Sequence, residues 1–478
     1  MSRGVQLALS CALLCAGLAL PAQAGDPTVL PPGTVFGEER VRQPREILHD
    51  EADGGRQSDL VALGNMAFAS PLIFGDPARK AGLTCETCHN QGDVNQVFFI
   101  PGLSDRPGGL AVVNALFNTA TTNGLHRHID IPSLRGIRYL APYGRDGRIA
   151  ALRDFTRNVI VNEFAGPEPS PKLVDAITAY MEQIDFLPNP KLASDGQLTD
   201  AADPAARRGE VLFNRNFPQM GNQSCAGCHH PSALFVDHLQ HDIGTGGAFK
   251  TQTLLNADFT APYFHDGRYT TFGQVVDYFD GTYKLGLTVA DKSDLVAYLQ
   301  AVGDGEQPFE NNTPDRELDE LLVSSRPLER AIAERDMPVV NLAVGTIAHE
   351  MRELQERFPG PSDPLGAGEQ ALLKPARSAA AGPVIQLRRV QSAAQAGRYE
   401  EAMAALKTFR NQADAARPVF LAALPVSLYD PTLAAQHQAL VAELTPPATQ
   451  PALRHTPGDS GLTCQSLREE SCDRSDRN

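Results

Sequence analysis

Apolar residues recur at helical spacing through most of this chain, and the gaps between those runs are rich in proline and glycine. The first clear run is Ser58 to Phe68, with Leu60, Leu63 and Met66 expected on one face. Helices are predicted over Ala151–Val161 and Pro171–Ile184, then over Ala205–Phe213, Thr271–Phe279 and Thr288–Ala301. Periodicity breaks from Leu187-Pro188-Asn189-Pro190 to Asp203-Pro204, which reads as a linker. From about Glu306 the composition shifts to Ala, Leu, Glu, Arg and Gln. There the spacing predicts helices over Asp315–Val323, Pro338–Arg357, Ile385–Ala396, Glu400–Ala416 and Leu433–Glu443. The pattern is that of a mainly α protein. It divides into an N-terminal arm (25–55), a first unit (56–190), a second unit (205–304), an appended helical domain (305–444) and a polar tail (445–478) expected to be disordered.

The two units share a repeat. Ala141-Pro142-Tyr143-Gly144-Arg145-Asp146-Gly147-Arg148 in the first matches Ala261-Pro262-Tyr263-Phe264-His265-Asp266-Gly267-Arg268 in the second. Each unit also carries one C-x-x-C-H, as Cys85-Glu86-Thr87-Cys88-His89 and Cys225-Ala226-Gly227-Cys228-His229. That spacing suits covalent attachment of haem c. Two thiols add across the porphyrin vinyl groups, one backbone turn spans both thioethers, and the adjacent histidine supplies the proximal imidazole. Zinc half-sites or a thioredoxin-like redox pair would use the same cysteines, but neither requires the histidine, and neither explains why the whole motif occurs twice. The units therefore read as two cytochrome c-type haem domains in tandem. They bind two covalent haems through Cys85, Cys88, Cys225 and Cys228, with His89 and His229 on the irons.

Compartment follows from the ends of the chain. Arg3, the apolar run Val5–Leu20 and Ala22-Gln23-Ala24 read as a secretory signal peptide (1–24) cleaved before Gly25. No later stretch is long and apolar enough to be read as a membrane span. The expected mature protein is periplasmic, where haem c is attached in bacteria. Cys11 and Cys15 leave with the signal, and Cys464 and Cys472 in the tail are free to pair in an oxidising compartment. A formal charge of −15 argues against nucleic acid as a partner and suits a basic redox protein. Tryptophan is absent.

Two C-x-x-C-H units with Asp-Gly-Arg and Ala-Pro-Tyr-Phe-His-Asp-Gly signatures resemble the bacterial di-haem cytochrome c peroxidases and the related MauG-type enzymes. The likeness covers about residues 56–304 and leaves the helices after 305 outside it. It implies that the haem above His89 binds hydrogen peroxide while the haem above His229 relays electrons. Asp146-Gly147-Arg148 with Leu152 matches the family's distal stretch, which places Glu163 near the family's acid–base glutamate. A carboxylate there would move a proton between the peroxide oxygens, although a solvated helix-end residue is the plainer reading. Asp130, Thr260 and Pro262 resemble the family's calcium site, where oxygen donors suit a hard cation. An ordinary loop acid is the alternative for Asp130.

Three departures from the family stand out. Its inter-haem tryptophan falls on Arg145. Its distal histidine falls near Asp105, with His126 and His128 in an insertion expected at the surface. Its relay methionine falls on Phe279, beside Tyr278, and no methionine lies between Met220 and Met337. Tyr278 is therefore the candidate sixth ligand, as a tyrosine is in the MauG type, with His238, His241 and His265 as rivals and a core aromatic as the bland reading. The resemblance implies an oxidoreductase that reduces peroxide with electrons from a small cytochrome or cupredoxin. A MauG-type oxidase acting on a partner protein and a non-catalytic di-haem electron carrier are the competing readings.

Overall fold

The computed structural model describes residues 30–444, except 32, 38–40, 53–56, 77, 111–117, 119–127, 364 and 366–369. The signal peptide, Cys464, Cys472 and His126 lie outside the described residues. A short helix α1 (His49–Ala52) precedes α2 (Asp59–Phe68), which begins where Ser58 Oγ accepts from the Val61 N–H at 3.2 Å. The first C-x-x-C-H forms α3 (Cys85–Cys88), and α4 (Leu152–Asn158) and α5 (Pro171–Gln183) complete the first unit. Leu60, expected on the inner face of α2, is exposed, whereas Val61 and Ala62 are buried. The cause is that α2 packs against α5 and also against helices from the C-terminal part, so most of its circumference is covered.

The close approach of α2 to α5 depends on Gly64. A Cβ there would stand 1.9 Å from the Ala176 carbonyl oxygen and 2.8 Å from Tyr180 Cβ. The second unit repeats this crossing with α6 (Pro204–Phe213) on α8 (Val289–Gly303), the remaining helix being α7 (Phe272–Tyr283). At Gly209 a Cβ would meet the Asp294 carbonyl oxygen at 2.0 Å and Tyr298 Cβ at 2.7 Å. One turn on, Phe68 packs its ring on Tyr180 at 5.2 Å, and Phe213 packs on Tyr298 at 4.8 Å. The Ala-Pro-Tyr segments also match: Tyr143 bridges to Ile149 and Tyr263 bridges to Tyr269. Gly64→Val is expected to lower stability by about 3 kcal/mol, the upper range for overpacking a tight contact. Gly281→Ala in α7, where a Cβ meets open space, should be neutral or slightly stabilising. Denaturant melts of the two variants check this, and equal midpoints would refute the close-approach argument.

The C-terminal helices are α9 (Pro314–Glu334), α10 (Met337–Glu356), α11 (Gln370–Gln395), α12 (Tyr399–Ala423) and α13 (Pro431–Leu444). Three run further than their spacing predicts, straight through Pro327, Pro375, Pro383 and Pro418. Proline removes one helical hydrogen bond, yet these helices continue because their faces are held by packing. Pro327 and Pro383 are buried, and the Arg410 guanidinium caps the α9 backbone by donating to the Ser325 carbonyl at 2.9 Å. Gly397, at φ +73°, makes the left-handed turn between α11 and α12. One apolar core runs continuously from the first unit into these helices, and a second core occupies residues 198–302. Strand β1 (Arg42–Pro44) of the arm pairs antiparallel with β6 (Phe309–Asn311), joining the arm to the entry of the C-terminal helices. The remaining strands are short hairpins, β2 (Gly109–Leu110) with β3 (Ile129–Asp130) and β4 (Gln240–Asp242) with β5 (Ala248–Lys250).

Among the described residues no single helix is long and apolar enough to cross a membrane. Helices α12 and α13 reach that measure only together, across a 68° bend.

Candidate functional site

The first motif is a single helical turn fixed at its start. Thr84 and Thr87 cap each other's backbone N–H, at 3.1 and 3.0 Å. His89 ends the turn, and its Nδ1 lies 2.9 Å from the Pro132 carbonyl oxygen. A carbonyl can only accept, so Nδ1 carries the proton and the Nε2 lone pair is left for a metal. Burial pushes the His89 imidazole down to about 4, which keeps the ring neutral at physiological pH. The second motif follows the same logic. His229 Nδ1 sits 3.1 Å from the Phe235 carbonyl oxygen, and burial lowers its basicity as well.

The cysteines do not have the electrostatics of a redox pair. Burial drives the Cys85 thiol far up and Cys225 up to about 11, whereas reactive CxxC thiols are lowered. A zinc half-site also fits poorly. The cluster of candidate metal ligands that forms here is Cys228, Asp237 and His241, which uses one cysteine of the pair and leaves Cys225 out. Attachment of haem c uses both thiols and the free imidazole nitrogen of each motif, and the donor sets present suit it.

A cavity of about 540 Å³ opens on Cys225, Cys228 and His229, within the range of cofactor pockets. Its walls are mostly apolar, and α7 supplies Phe272, Val275, Val276, Phe279 and Tyr283, one face of the helix at i, i+3, i+4, i+7 and i+11. Tyr278 falls off that face. Its hydroxyl donates to the Ile243 carbonyl at 2.5 Å, and its ring packs among Phe264, Tyr269 and Phe279. Among the rivals, His241 and His265 line the cavity. His241 Nε2 is paired with Asp237 at 2.6 Å, and His265 stacks on Phe249 at 3.6 Å. His238 Nδ1 instead meets the Ala141 carbonyl at 2.7 Å. Met220, in the turn just before the second motif, is also part of the wall. The methionine-free window after His229 therefore does not empty the cavity of thioether sulfur.

The first unit also lines the cavity, through Asp130, Ile131, Pro132, Ser133, Arg135 and Arg145. Pro132, whose carbonyl holds His89, lies in that wall. The two motifs thus meet on one segment. Many hydrogen bonds fasten the units there: Asp130 N–H to the His265 carbonyl at 3.0 Å, Gln96 to the Phe259 and Ala261 carbonyls at 2.8 and 3.0 Å, and Lys250 Nζ to the Leu140 and Pro142 carbonyls at 2.7 and 2.9 Å.

Asp130, Thr260 and Pro262 all line this cavity. Arg145 claims much of Asp130. Its Nη2 donates to both the carbonyl oxygen and Oδ2 at 2.7 Å, while Oδ1 is buried with no hydrogen-bond partner among the described residues. Burial outweighs the guanidinium and raises the Asp130 carboxyl to about 7.

Glu163 ends a π-turn, Val159–Glu163, that continues α4, an irregularity often found at functional positions. Arg148 donates to Glu163 Oε1 at 2.8 Å and to Asp146 Oδ1 at 2.9 Å, and Asn158 adds a bond to Glu163 Oε1 at 3.2 Å. The Asp-Gly-Arg motif and Glu163 are therefore brought together. Burial raises the Glu163 carboxyl above the ordinary range, and Arg148 opposes the rise.

Residues 205–334 match the family described as di-haem cytochrome c peroxidase. The match bears out the likeness in the second unit and, unlike the limit expected from the motifs, runs past 305 through α9. The chain resembles the di-haem cytochrome c peroxidases. The cytochrome-c peroxidase IdrP1 of Pseudomonas sp. (strain SCT) is 23% identical over 336 residues, covering 53% of this chain and 83% of that protein. The hydrazine synthase subunit gamma of Kuenenia stuttgartiensis is 30% identical over 128 residues, or 24% of this chain and 34% of that one. A solved structure of Kuenenia stuttgartiensis hydrazine synthase pressurised with xenon covers 62% of this chain and 99% of its own, at 20% identity and a TM-score of 0.36.

One residue of the cavity wall, Arg135, is not among those singled out by sequence. Arg135 is buried, with 1% of its side chain exposed, and it lines the cavity. His128, expected at the surface, is exposed there, and its ring lies 2.9 Å from Asp105, where the family's distal histidine is missing. Arg135 carries no local signal, because it meets Asp93 only through the tertiary fold.

Proposed function

We propose that the chain is a periplasmic di-haem c-type oxidoreductase that reduces hydrogen peroxide with electrons from a small cytochrome or cupredoxin. The observation that carries this reading is that each C-x-x-C-H histidine has Nδ1 fixed on a backbone carbonyl, leaving Nε2 free. Haem c at the two motifs would supply the redox chemistry. In the balance of the reaction the O–O bond breaks, two electrons and two protons are taken up, and two waters form. His89 and His229 would hold the irons, residues 56–190 and 205–304 forming the two haem domains. Glu163 would shift a proton between peroxide oxygens, and Arg148 holds its carboxylate in place. The segment Asp130–Arg135 would keep the two centres in fixed register through Pro132.

Calcium, which the resemblance implies at Asp130, Thr260 and Pro262, would have to displace Arg145 to reach Asp130 Oδ2 and its carbonyl oxygen. The guanidinium already supplies positive charge there, and the proton transfer assigned to Glu163 does not need the metal.

The MauG-type reading has its own support. Phe279 stands where the relay methionine is expected and lines the cavity, and Tyr283 is one turn further along the same face. A redox titration with added cyanide tests the alternatives. For the peroxidase we expect at least one ferric haem that binds cyanide, and peroxide turnover sustained by a reduced small cytochrome. Turnover only with the oxidation of a partner protein's side chains would favour the MauG type. Two low-spin haems that ignore cyanide and peroxide would leave an electron carrier and overturn both enzyme readings.

A further inference from the structure

The two units meet across a reciprocal pair of backbone hydrogen bonds. Aligning the Ala-Pro-Tyr repeats puts His265 at the place of Arg145, and the same alignment carried back along the chain puts Lys250 at the place of Asp130. The Asp130 N–H donates to the His265 carbonyl at 3.0 Å, and the Lys250 N–H donates to the Arg145 carbonyl at 3.1 Å. Each unit gives the same donor and offers the same acceptor, as across a local two-fold axis. Backbone atoms alone make this exchange, so the side chains at the four positions need not match. In the second unit they are a lysine and a histidine. In the first they are an acid and a guanidinium that bind each other. Arg145 Nη2 donates at 2.7 Å to the Asp130 carbonyl oxygen and at 2.7 Å to Oδ2, and Nε reaches the same carbonyl at 3.2 Å. Both side chains are enclosed, at 15% and 5% exposed.

Calcium, which the family resemblance brings to this junction, does not fit the donors present. It takes about six to eight oxygen ligands. Asp130 would have to supply its carbonyl oxygen and Oδ2, and one guanidinium already covers both. The carbonyls on either side of Thr260, at Phe259 and Ala261, accept from Gln96 at 2.8 and 3.0 Å. The local charge is wrong as well. Arg106 and Asp266 both bear on Asp130, and Asp266 is itself paired with Arg268 at 2.6 Å. With Lys250 beside Arg145, the cations here outnumber Asp130 and Asp266. A divalent ion would add repulsion where a guanidinium has already matched the buried acid.

We propose that the Arg145 guanidinium is the built-in cation of this junction: it locks together the two first-unit segments that bond the second unit, and it makes their union independent of calcium. The lock lies between the two candidate centres. The Asp130 segment leads into Pro132, whose carbonyl holds His89, and the Arg145 segment leads into Arg148, which holds Glu163. Arg145 is therefore a positioning residue for both, and the junction is the same whichever enzyme reading holds.

The test uses the full-length holoprotein at pH 8, above the value of about 7 to which burial raises the Asp130 carboxyl. Wild type stripped with EGTA is expected to keep its thermal midpoint and to gain nothing from added calcium chloride. In equilibrium dialysis it should bind no calcium that Asp130→Asn removes. Arg145→Gln should lower the midpoint by about 5 °C, because a buried carboxylate loses its partner. Hydrogen exchange, read by mass spectrometry, should quicken by more than about tenfold in the peptides holding Asp130 and Lys250, while the crossing of α6 on α8 keeps its protection. Arg145→Lys restores the charge without the forked contact and should recover only part of both losses. A side chain that only fills space would show no such rescue by charge. If Arg145→Gln does not accumulate, Arg145→Lys and the wild-type calcium measurements decide. One calcium bound by wild type and lost in Asp130→Asn, with a midpoint that falls in EGTA, overturns the proposal. So does an Arg145→Gln protein whose midpoint and junction exchange match wild type.

Discussion

His89→Ala will retain both haems and lose peroxide turnover. The thioethers at Cys85 and Cys88 do not involve the imidazole, so attachment survives while the iron loses its axial nitrogen. Loss of an outer-shell partner of a ligating histidine typically costs 10–100-fold, and loss of the ligand itself should exceed about 100-fold. The same variant also strands the Pro132 carbonyl, which now accepts the Nδ1 proton. Added imidazole, entering the space left by the side chain, should restore part of the rate. His229→Ala should impair turnover less severely by disturbing the relay centre, whose imidazole is held by Phe235. Mass spectrometry establishes the haem content and steady-state peroxide consumption gives the rate. Wild-type turnover by a two-haem His89→Ala protein would eliminate the peroxide-binding role of the first motif.

The parts of the site written in consecutive residues are legible in the amino-acid sequence. Cys85 to His89 and Cys225 to His229 place thiols and imidazole by local geometry, and the Ala-Pro-Tyr repeat announces duplicated backbone at Tyr143–Ile149 and Tyr263–Tyr269. The acceptors that orient the imidazoles are not legible there, because backbone carbonyls at Pro132 and Phe235 have no side-chain signature. Arg135 is hidden for a related reason: arginine is nearly always exposed, and only the fold reveals that this one is enclosed.

Helix limits after 305 fail at the prolines. Pro327, Pro375, Pro383 and Pro418 look like breaks locally, but tertiary packing carries the helices through them. The second-motif wall offers the opposite lesson. Phe272, Val276, Phe279 and Tyr283 are spaced as one helical face, and that periodicity points away from Tyr278, which the family likeness brings forward.

Glu163→Gln is expected to lower peroxide kcat/KM by about 100-fold or more, the range for a positioned acid–base group. The amide keeps the shape and can still meet Arg148, so stability should change little while proton transfer is lost. The pH profile distinguishes this from a packing defect. Burial raises the Glu163 carboxyl, with Arg148 pulling the other way. A base must be deprotonated, so the acid limb of kcat/KM should lie above the ordinary glutamate value of about 4.3. Arg148→Ala removes the group that favours the carboxylate. Its acid limb should therefore move to higher pH, with the rate at high pH reduced less than at low pH. Glu163→Gln should lack that limb altogether. The two variants together make a demand that a merely structural carboxylate would not meet, since breaking an ion pair for packing reasons shifts no limb. An acid limb unmoved in Arg148→Ala and retained in Glu163→Gln would assign the proton transfer to another group, and His128, beside Asp105, would be the first to replace next.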